Sequence, residues 1–338
     1  MRVAFSQHWR DGPWGGGNNF VRSLISGLEA SGHEVTHELS EGVDLALIVD
    51  PRARNPLVTF TLGELLRHLL RHPNTLVVHR INECDERKGT RSMNMRLRLA
   101  NYAADHTVFI ASWLQALKVW RVGKPSSVIL NGADANVFHA EGSVTWDGSQ
   151  PLRIVTHHWG ANRMKGFDTY DVIDELLDQP GWREKIQFTY VGNLPDELAF
   201  RNIRHVAPLS GPPLANELRS HHAYLTASIN EPAGMHHIEG AMCGLPLIYR
   251  QSGALPEYCA GFGEAFEGPD DVADALNAML TNYAETKPKM NGYPHTSERM
   301  VSEYIALFEN LEANRAEILD KRKLWRDPLA FALNQLPL

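Results

Sequence analysis

The chain has 338 residues, which at ~150 residues per domain implies about two domains or one large one. Hydrophobic residues make up 43% and charged residues 22%, ordinary globular usage that sets aside disorder, collagen and coiled coil. Lys+Arg 33 against Asp+Glu 40 gives −7, which argues against nucleic acid as a partner, and three cysteines without CxxC spacing argue against a disulfide scaffold or structural zinc.

No apolar run approaches the ~18 residues of a membrane span. The N-terminal stretch is broken by His8, Arg10 and Asp11, unlike a secretory signal. A soluble, cytoplasmic protein is expected. The charge is uneven: residues 1–140 hold 16 Lys/Arg and 13 Asp/Glu (+3), and residues 141–338 hold 17 and 27 (−10). The change coincides with a polar stretch over 141–151 that reads as a linker.

In chain order, 3–6 reads as a short strand followed by a glycine-rich turn, Gly12-Pro-Trp-Gly-Gly-Gly-Asn-Asn19. Phe20, Leu24, Ile25 and Leu28 then share one face of a helix ending at Ser31-Gly32. Strands are predicted at 33–36, 43–49, 75–79, 106–110 and 127–130, with helices between them. The pattern restarts at 152–156, 186–191, 223–227 and 247–249, each a buried-strand candidate followed by a helical stretch. Helices are predicted over 270–283 and 297–323, with a last short one over 325–331. Strands alternating with helices imply an α/β chain with two parallel sheets, whose ligands face the loops at strand C-termini.

Three segments carry chemistry. Gly15, Gly16 and Gly17 are contiguous, so the first turn is not G-x-G-x-x-G, but its backbone can approach a ligand closely at a helix N-terminus. Arg163 and Lys165 follow the first strand of the second half, where cations can compensate a diphosphate. Ser228-Ile-Asn-Glu-Pro-Ala-Gly-Met-His-His-Ile-Glu-Gly-Ala-Met-Cys-Gly-Leu-Pro246 places Glu231 at a strand end and Glu239 about two turns into the next helix. Glu239 could accept hydrogen bonds from the vicinal hydroxyls of a ribose. Gly234 and Met235, near the helix start, offer N–H groups to a phosphate.

Glu231-x7-Glu239, followed by Gly244-Leu-Pro-Leu247 and Ser252-Gly-Ala-Leu-Pro-Glu-Tyr258, resembles the nucleotide-sugar site of glycosyltransferase family 4. Asn131-Gly-Ala-Asp-x-x-x-Phe138 resembles that family's segment at the end of the N-terminal domain, Trp159 to Asp168 its phosphate loop, and Gly15–Gly17 its N-terminal glycine turn. The resemblance implies the GT-B fold, two Rossmann-like domains facing each other across a cleft. These would be an acceptor-side domain over 1–140, a nucleotide-sugar domain over 141–305, and C-terminal helices over 306–338 packing back toward the first. It implies a retaining, metal-independent glycosyltransferase that takes a UDP- or GDP-sugar as substrate, with no further cofactor. The acceptor would be a hydroxyl on a carbohydrate, a lipid-linked molecule or a small molecule. Glu231 would touch the transferred sugar, Glu239 the ribose, Lys165 and Arg163 the diphosphate, and Gly16, Gly17, Gly234 and Met235 would supply backbone N–H groups. Asn193, Pro208 and Leu209 would line the base pocket, and His79, at a strand end, would lie on the acceptor side. Two departures stand out: Arg163 is only two residues from Lys165, and positions 236–237 are His-His where small or apolar residues are usual.

A same-face transfer and a double displacement with Glu231 as nucleophile both fit these residues. A GT-B-fold sugar-nucleotide epimerase and a non-catalytic nucleotide-sugar-binding protein are the alternative functions. The pairs His157-His158, His221-His222 and His236-His237 make poor chelates, because adjacent residues point apart. Arg87, Lys88, Arg91, Arg96 and Arg98 form a basic cluster that reads as a solvated helix face, as a peripheral contact with an anionic membrane surface at its inner face, or as a site for a phosphorylated lipid acceptor.

Overall fold

The computed structural model describes residues 1–10, 12, 16–322, 324 and 327–336. Gly15 of the glycine turn, and Trp325 and Arg326 of the last predicted helix, lie outside the described residues. The chain divides into two compact units: residues 1–10, 17–131 and 298–338 form the first, and residues 11–16 and 132–297 the second. The division after Asn131 precedes the polar 141–151 stretch, which therefore lies inside the second unit.

The first unit runs β1 (Arg2–Phe5), α1 (Gly16–Ala30), β2 (Glu34–Thr36), β3 (Leu45–Ile48), α2 (Leu62–Arg71), β4 (Leu76–Ile81), α3 (Met93–Ala100), β5 (His106–Phe109) and β6 (Ser126–Val128). Its six strands are all parallel, in the order β2-β1-β3-β4-β5-β6. Apolar residues alternate between its two buried faces. Val3, Phe5, Leu45, Leu47, Leu76 and Val78 pack against Phe20, Leu24 and Leu28 of α1, while Ala46, Ile48 and Val77 pack against Leu65, Leu66 and Leu69 of α2. Helix α2 starts in a capping box, where Thr61 Oγ1 accepts from Glu64 N–H and Glu64 accepts from Thr61 N–H.

The second unit runs β7 (Leu152–His158), α4 (Phe167–Leu176), α5 (Pro180–Arg183), β8 (Ile186–Gly192), β9 (Arg204–Val206), α6 (Gly211–Arg219), β10 (Ala223–Thr226), α7 (Met235–Met242), β11 (Leu247–Arg250), α8 (Leu255–Cys259), β12 (Gly263–Phe266) and α9 (Val272–Thr286). These strands are also all parallel, in the order β12-β11-β10-β7-β8-β9. Strands β9 and β12 are absent from the sequence expectation. Both are short edge strands of mixed polarity, so neither presents the continuous apolar run that marks a buried strand. The core joins Leu152, Ile154, Phe188, Leu225 and Ile248 of the sheet to Phe167, Tyr170 and Ile173 of α4 and to Leu276, Met279 and Tyr283 of α9.

The helix expected over 297–323 is two: α10 (Ser297–Ala313) and α11 (Arg315–Lys321), followed by α12 (Pro328–Leu333). The break falls at Asn314, whose side-chain amide donates to the Asn310 carbonyl at 2.8 Å. Met300, Tyr304, Phe308 and Leu311 of α10 fill the first unit's core beside α1. Gly27 permits this approach, since a Cβ there would lie 2.2 Å from Val301 Cγ1. Among the described residues no helix is long and apolar enough to cross a membrane.

Candidate active site

In the second unit the chain's direction across the sheet reverses between β7 and β10, which are neighbours although α4, α5, β8, β9 and α6 separate them in sequence. In parallel α/β sheets a ligand crevice opens at such a reversal, beyond the strands' C-terminal ends. Two loops emerge there: residues 159–166 after β7 and residues 227–234 after β10.

The two loops are pinned to each other and to the loop after β11. Ile229 N–H donates to the Met164 carbonyl at 2.8 Å, and Ala254 N–H donates to the Glu231 carbonyl at 2.8 Å. Asn230 N–H donates to Ser252 Oγ at 2.9 Å. Glycine is required at two contacts. Gly166 (φ +93°) abuts Ala227, whose carbonyl oxygen would lie 2.4 Å from a Cβ, and Gly253 (φ +61°) abuts Glu231, whose N and O would each lie 2.5 Å away.

This clamp sets Lys165 against Glu231. Lys165 Nζ donates to Glu231 Oε2 at 2.6 Å, with the side chains 12% and 2% exposed. Glu231 lies in the loop, five residues past Thr226, rather than at the strand end that its sequence context predicts. Gly234 caps α7 without a side chain, and a Cβ there would stand 3.1 Å from Glu231 Cδ, so the carboxylate lies beside the helix start. Arg163 diverges from its neighbour. Its side chain is 63% exposed and pairs with Glu197 at 3.5 Å.

Glu239 is the fifth residue of α7, a little over one turn in rather than two. Its Oε2 lies 2.8 Å from His157 Nε2, at the end of β7, and both side chains are nearly buried. Tyr224, on β10, takes His157 backbone N–H on its hydroxyl at 3.0 Å and sits 3.1 Å from His157 Nδ1. His158 points elsewhere, with Nε2 2.8 Å from Tyr170 Oη. His236 Nε2 is 2.8 Å from Thr226 Oγ1, and burial, reinforced by His158 and His237, holds its pKa well below the ordinary value. His237 packs edge-on to Tyr258, and burial brings its pKa down to about 3. These two histidines are therefore neutral core groups at ordinary pH.

Asn193 Nδ2 donates to the Trp159 carbonyl at 2.7 Å, tying the loop after β8 to the loop after β7. Pro208 and Leu209 are half-buried between β9 and α6. Gly16 groups with the second unit, where a Cβ would lie 2.6 Å from Met235 Cγ. Gly17 belongs to the first unit, 3.8 Å from Asn82 Nδ2 by the same measure. His79 is in the middle of β4, not at its end, and has no exposed surface; burial, with a lesser push from Lys124, takes its pKa down to about 3. A ring so placed is a core histidine beside Asn101 Nδ2, 3.4 Å from Nδ1.

Sequence reading missed His157, Tyr224 and Arg250. Arg250 ends β11 and donates to Asp168 at the start of α4 at 2.8 Å. The only local signal for His157 and Arg250 was position at or near a strand C-terminus, and Tyr224, the second residue of β10, carried none, since each partner is 67 to 82 residues away.

No family model matches the chain. A curated relative, the gpi3 subunit of phosphatidylinositol N-acetylglucosaminyltransferase from Schizosaccharomyces pombe, is 31% identical over 114 residues, which cover 31% of this chain. That stretch is 25% of the relative, so the chain spans about a quarter of its length. Among solved structures, sucrose-phosphate synthase from Thermosynechococcus elongatus superposes with a TM-score of 0.64 at 16% identity, covering 93% of this chain and 99% of that one. Anabaena HepE, solved in complex with UDP and glucose, superposes with a TM-score of 0.60 at 13% identity, covering 95% and 99%. Two α/β units with all-parallel six-stranded sheets, matched by these chains along almost their whole length, give this protein the GT-B fold.

Proposed function

We propose that this chain is a glycosyltransferase that moves a sugar from a nucleoside-diphosphate sugar to an acceptor hydroxyl, with the donor held by the second unit. The observation that carries this is the buried Lys165–Glu231 pair beside the start of α7, at the point of sheet reversal. The relative's name as an N-acetylglucosaminyltransferase subunit and the UDP and glucose bound by the Anabaena protein support the same class.

In this assignment Lys165 and the first N–H groups of α7 neutralise the diphosphate, without a metal. Arg163 can join them, because its exposed pair with Glu197 gives little resistance to a new partner. Glu231 contacts the sugar, Glu239 the ribose, and Asn193, Pro208 and Leu209 the base. His79 has no part, being sealed in β4.

In this reading the transfer proceeds with retention. The bond from sugar C1 to the diphosphate oxygen breaks, and the acceptor oxygen bonds C1 on the same face. The acceptor proton passes to the departing phosphate oxygen, leaving a glycoside and a nucleoside diphosphate. Clamped charge and fixed orientation supply the rate enhancement. The ammonium held 2.6 Å from Glu231 Oε2 weakens that oxygen as a nucleophile and favours this route over double displacement.

Thermal unfolding with UDP-, GDP- and ADP-glucose tests donor binding; a ligand at 100 times its Kd adds about 2.7 kcal/mol of stability. Incubation with sugar acceptors then tests turnover. Free nucleotide that rises only with an acceptor supports transfer. An altered but intact sugar nucleotide would make the protein an epimerase, and binding without turnover would make it non-catalytic.

A further inference from the structure

We infer that His157, itself held by Tyr224, is a positioning residue for Glu239, fixing the carboxylate that recognises the ribose of a ribonucleotide donor. This rests on the donor assignment proposed above and adds two residues to it, from two neighbouring strands.

A glutamate side chain has three torsions to fix, and a ligand must bear the entropy of fixing them unless the protein has already done so. Here Oε2 is 2.8 Å from His157 Nε2. A carboxylate oxygen accepts, so in this contact Nε2 is the donor. Tyr224 then sets the ring. Its hydroxyl takes the His157 backbone N–H at 3.0 Å and lies 3.1 Å from Nδ1, the distance at which its own proton serves that nitrogen. The imidazole is thus held from both ends, with one hydrogen-bonding state of Nε2.

The helix is shaped for this contact. Gly240, next to Glu239, lets the Tyr224 ring lie against α7, since a Cβ there would stand 2.4 Å from Cδ2 and 2.5 Å from Cγ. Three residues from β7, β10 and α7 therefore converge at the sheet's reversal. Stability does not call for them, because a well-packed apolar pair commonly serves a core as well as a buried ionisable one. A carboxylate oriented from the C-terminal end of β7 serves recognition.

The test is calorimetric binding of UDP, GDP and ADP, each against its 2′-deoxy counterpart, to the wild type and to His157→Phe, His157→Gln and Tyr224→Phe. The wild type should prefer the ribonucleotide of whichever base it binds. His157→Phe should weaken that ribonucleotide by about tenfold to a hundredfold, the worth of a hydrogen bond to a charged group, and leave the 2′-deoxy form nearly unchanged. His157→Gln keeps an N–H and should recover most of the loss, while Tyr224→Phe, which removes only a hydroxyl, should fall between. Combined with Glu239→Gln, His157→Phe should lose little more than the worse single variant. Should His157→Phe fail to fold, Tyr224→Phe decides the matter. An unchanged ribose preference in these variants overturns the inference alone. A wild type that binds nucleoside diphosphates without that preference overturns the role of Glu239 and of His157 with it. A wild type that binds none overturns the donor assignment as well.

Discussion

Lys165 Nζ and Glu231 Oε2 meet at 2.6 Å across 66 residues of sequence, in a pocket of backbone contacts that leaves the glutamate 2% exposed. Removing Lys165 takes from the buried Glu231 carboxylate the cation that stands 2.6 Å from it. Lys165→Met should therefore lower unfolding stability by about 3 kcal/mol in urea titration, and Lys165→Met/Glu231→Gln should be more stable than Lys165→Met alone. Turnover, followed as nucleoside diphosphate released, should fall by roughly a hundredfold or more in both, as the leaving group loses its cation. A Lys165→Met enzyme with near-normal turnover would remove the lysine from the proposed chemistry.

The clamp on that pair predicts an asymmetry between glycines. Gly253 and Gly261 both have positive φ, +61° and +88°, but only Gly253 has backbone where a Cβ would go. Gly261→Ala should cost about 1 kcal/mol, for backbone conformation alone. Gly253→Ala should cost roughly 2 kcal/mol or more and depress turnover, because the Glu231 backbone must move. Equal losses of stability would mean that the contact at Gly253 yields freely.

Much of the fold is legible because parallel strands are buried on both faces and so read as apolar runs, as at 43–49 and 186–191. The glutamates eight apart are legible for a similar reason, since spacing along the loop and helix that follow β10 is a local property. Pairings are not. Lys165 reaches Glu231, and His157 reaches Glu239 across 82 residues, only because β7 and β10 are neighbours in the sheet, an adjacency no local periodicity encodes. His79 shows the converse: a histidine within an apolar strand run looks functional in sequence, yet the strand continues to Ile81 and buries it.

His79 also gives a pH dependence with a definite sign. The folded ring protonates at about pH 3, because burial disfavours its charge, whereas in the unfolded chain it protonates near its ordinary value of 6.5. Between those values the unfolded state holds more protons, so stability is complete above about pH 6.5 and declines as pH falls toward 3. One such ring costs about 2 kcal/mol by pH 5. His237, also at about 3, adds in the same direction. Urea midpoints between pH 5 and 7.5 should fall on acidification, and His79→Gln should flatten the slope by about 1 kcal/mol per pH unit. An unchanged slope in that variant would mean that the ring takes up its proton while folded.

The first unit is completed by the far end of the chain, which makes its stability depend on one arginine. Arg322, next to the end of α11, donates through Nε to Asp105 Oδ1 at 2.8 Å, through a second nitrogen to Asp105 Oδ2, and to the carbonyls of Pro73 at 3.0 Å and Thr75 at 2.8 Å. Arginine suits this place because its planar fork serves a carboxylate and two carbonyls at once. Arg322 and Asp105 are 9% and 5% exposed, so Arg322→Met leaves a buried carboxylate and two carbonyls short of donors and should cost about 3–5 kcal/mol. Arg299→Met, which breaks an exposed pair with Glu303 on α10, should change stability by no more than about 0.5 kcal/mol. Arg322→Lys separates charge from geometry: an ammonium restores the charge but not the fork, so it should recover less than half of the loss. Chemical denaturation of the three variants measures this, and a Lys variant equal to wild type would show that charge alone holds the C-terminal segment.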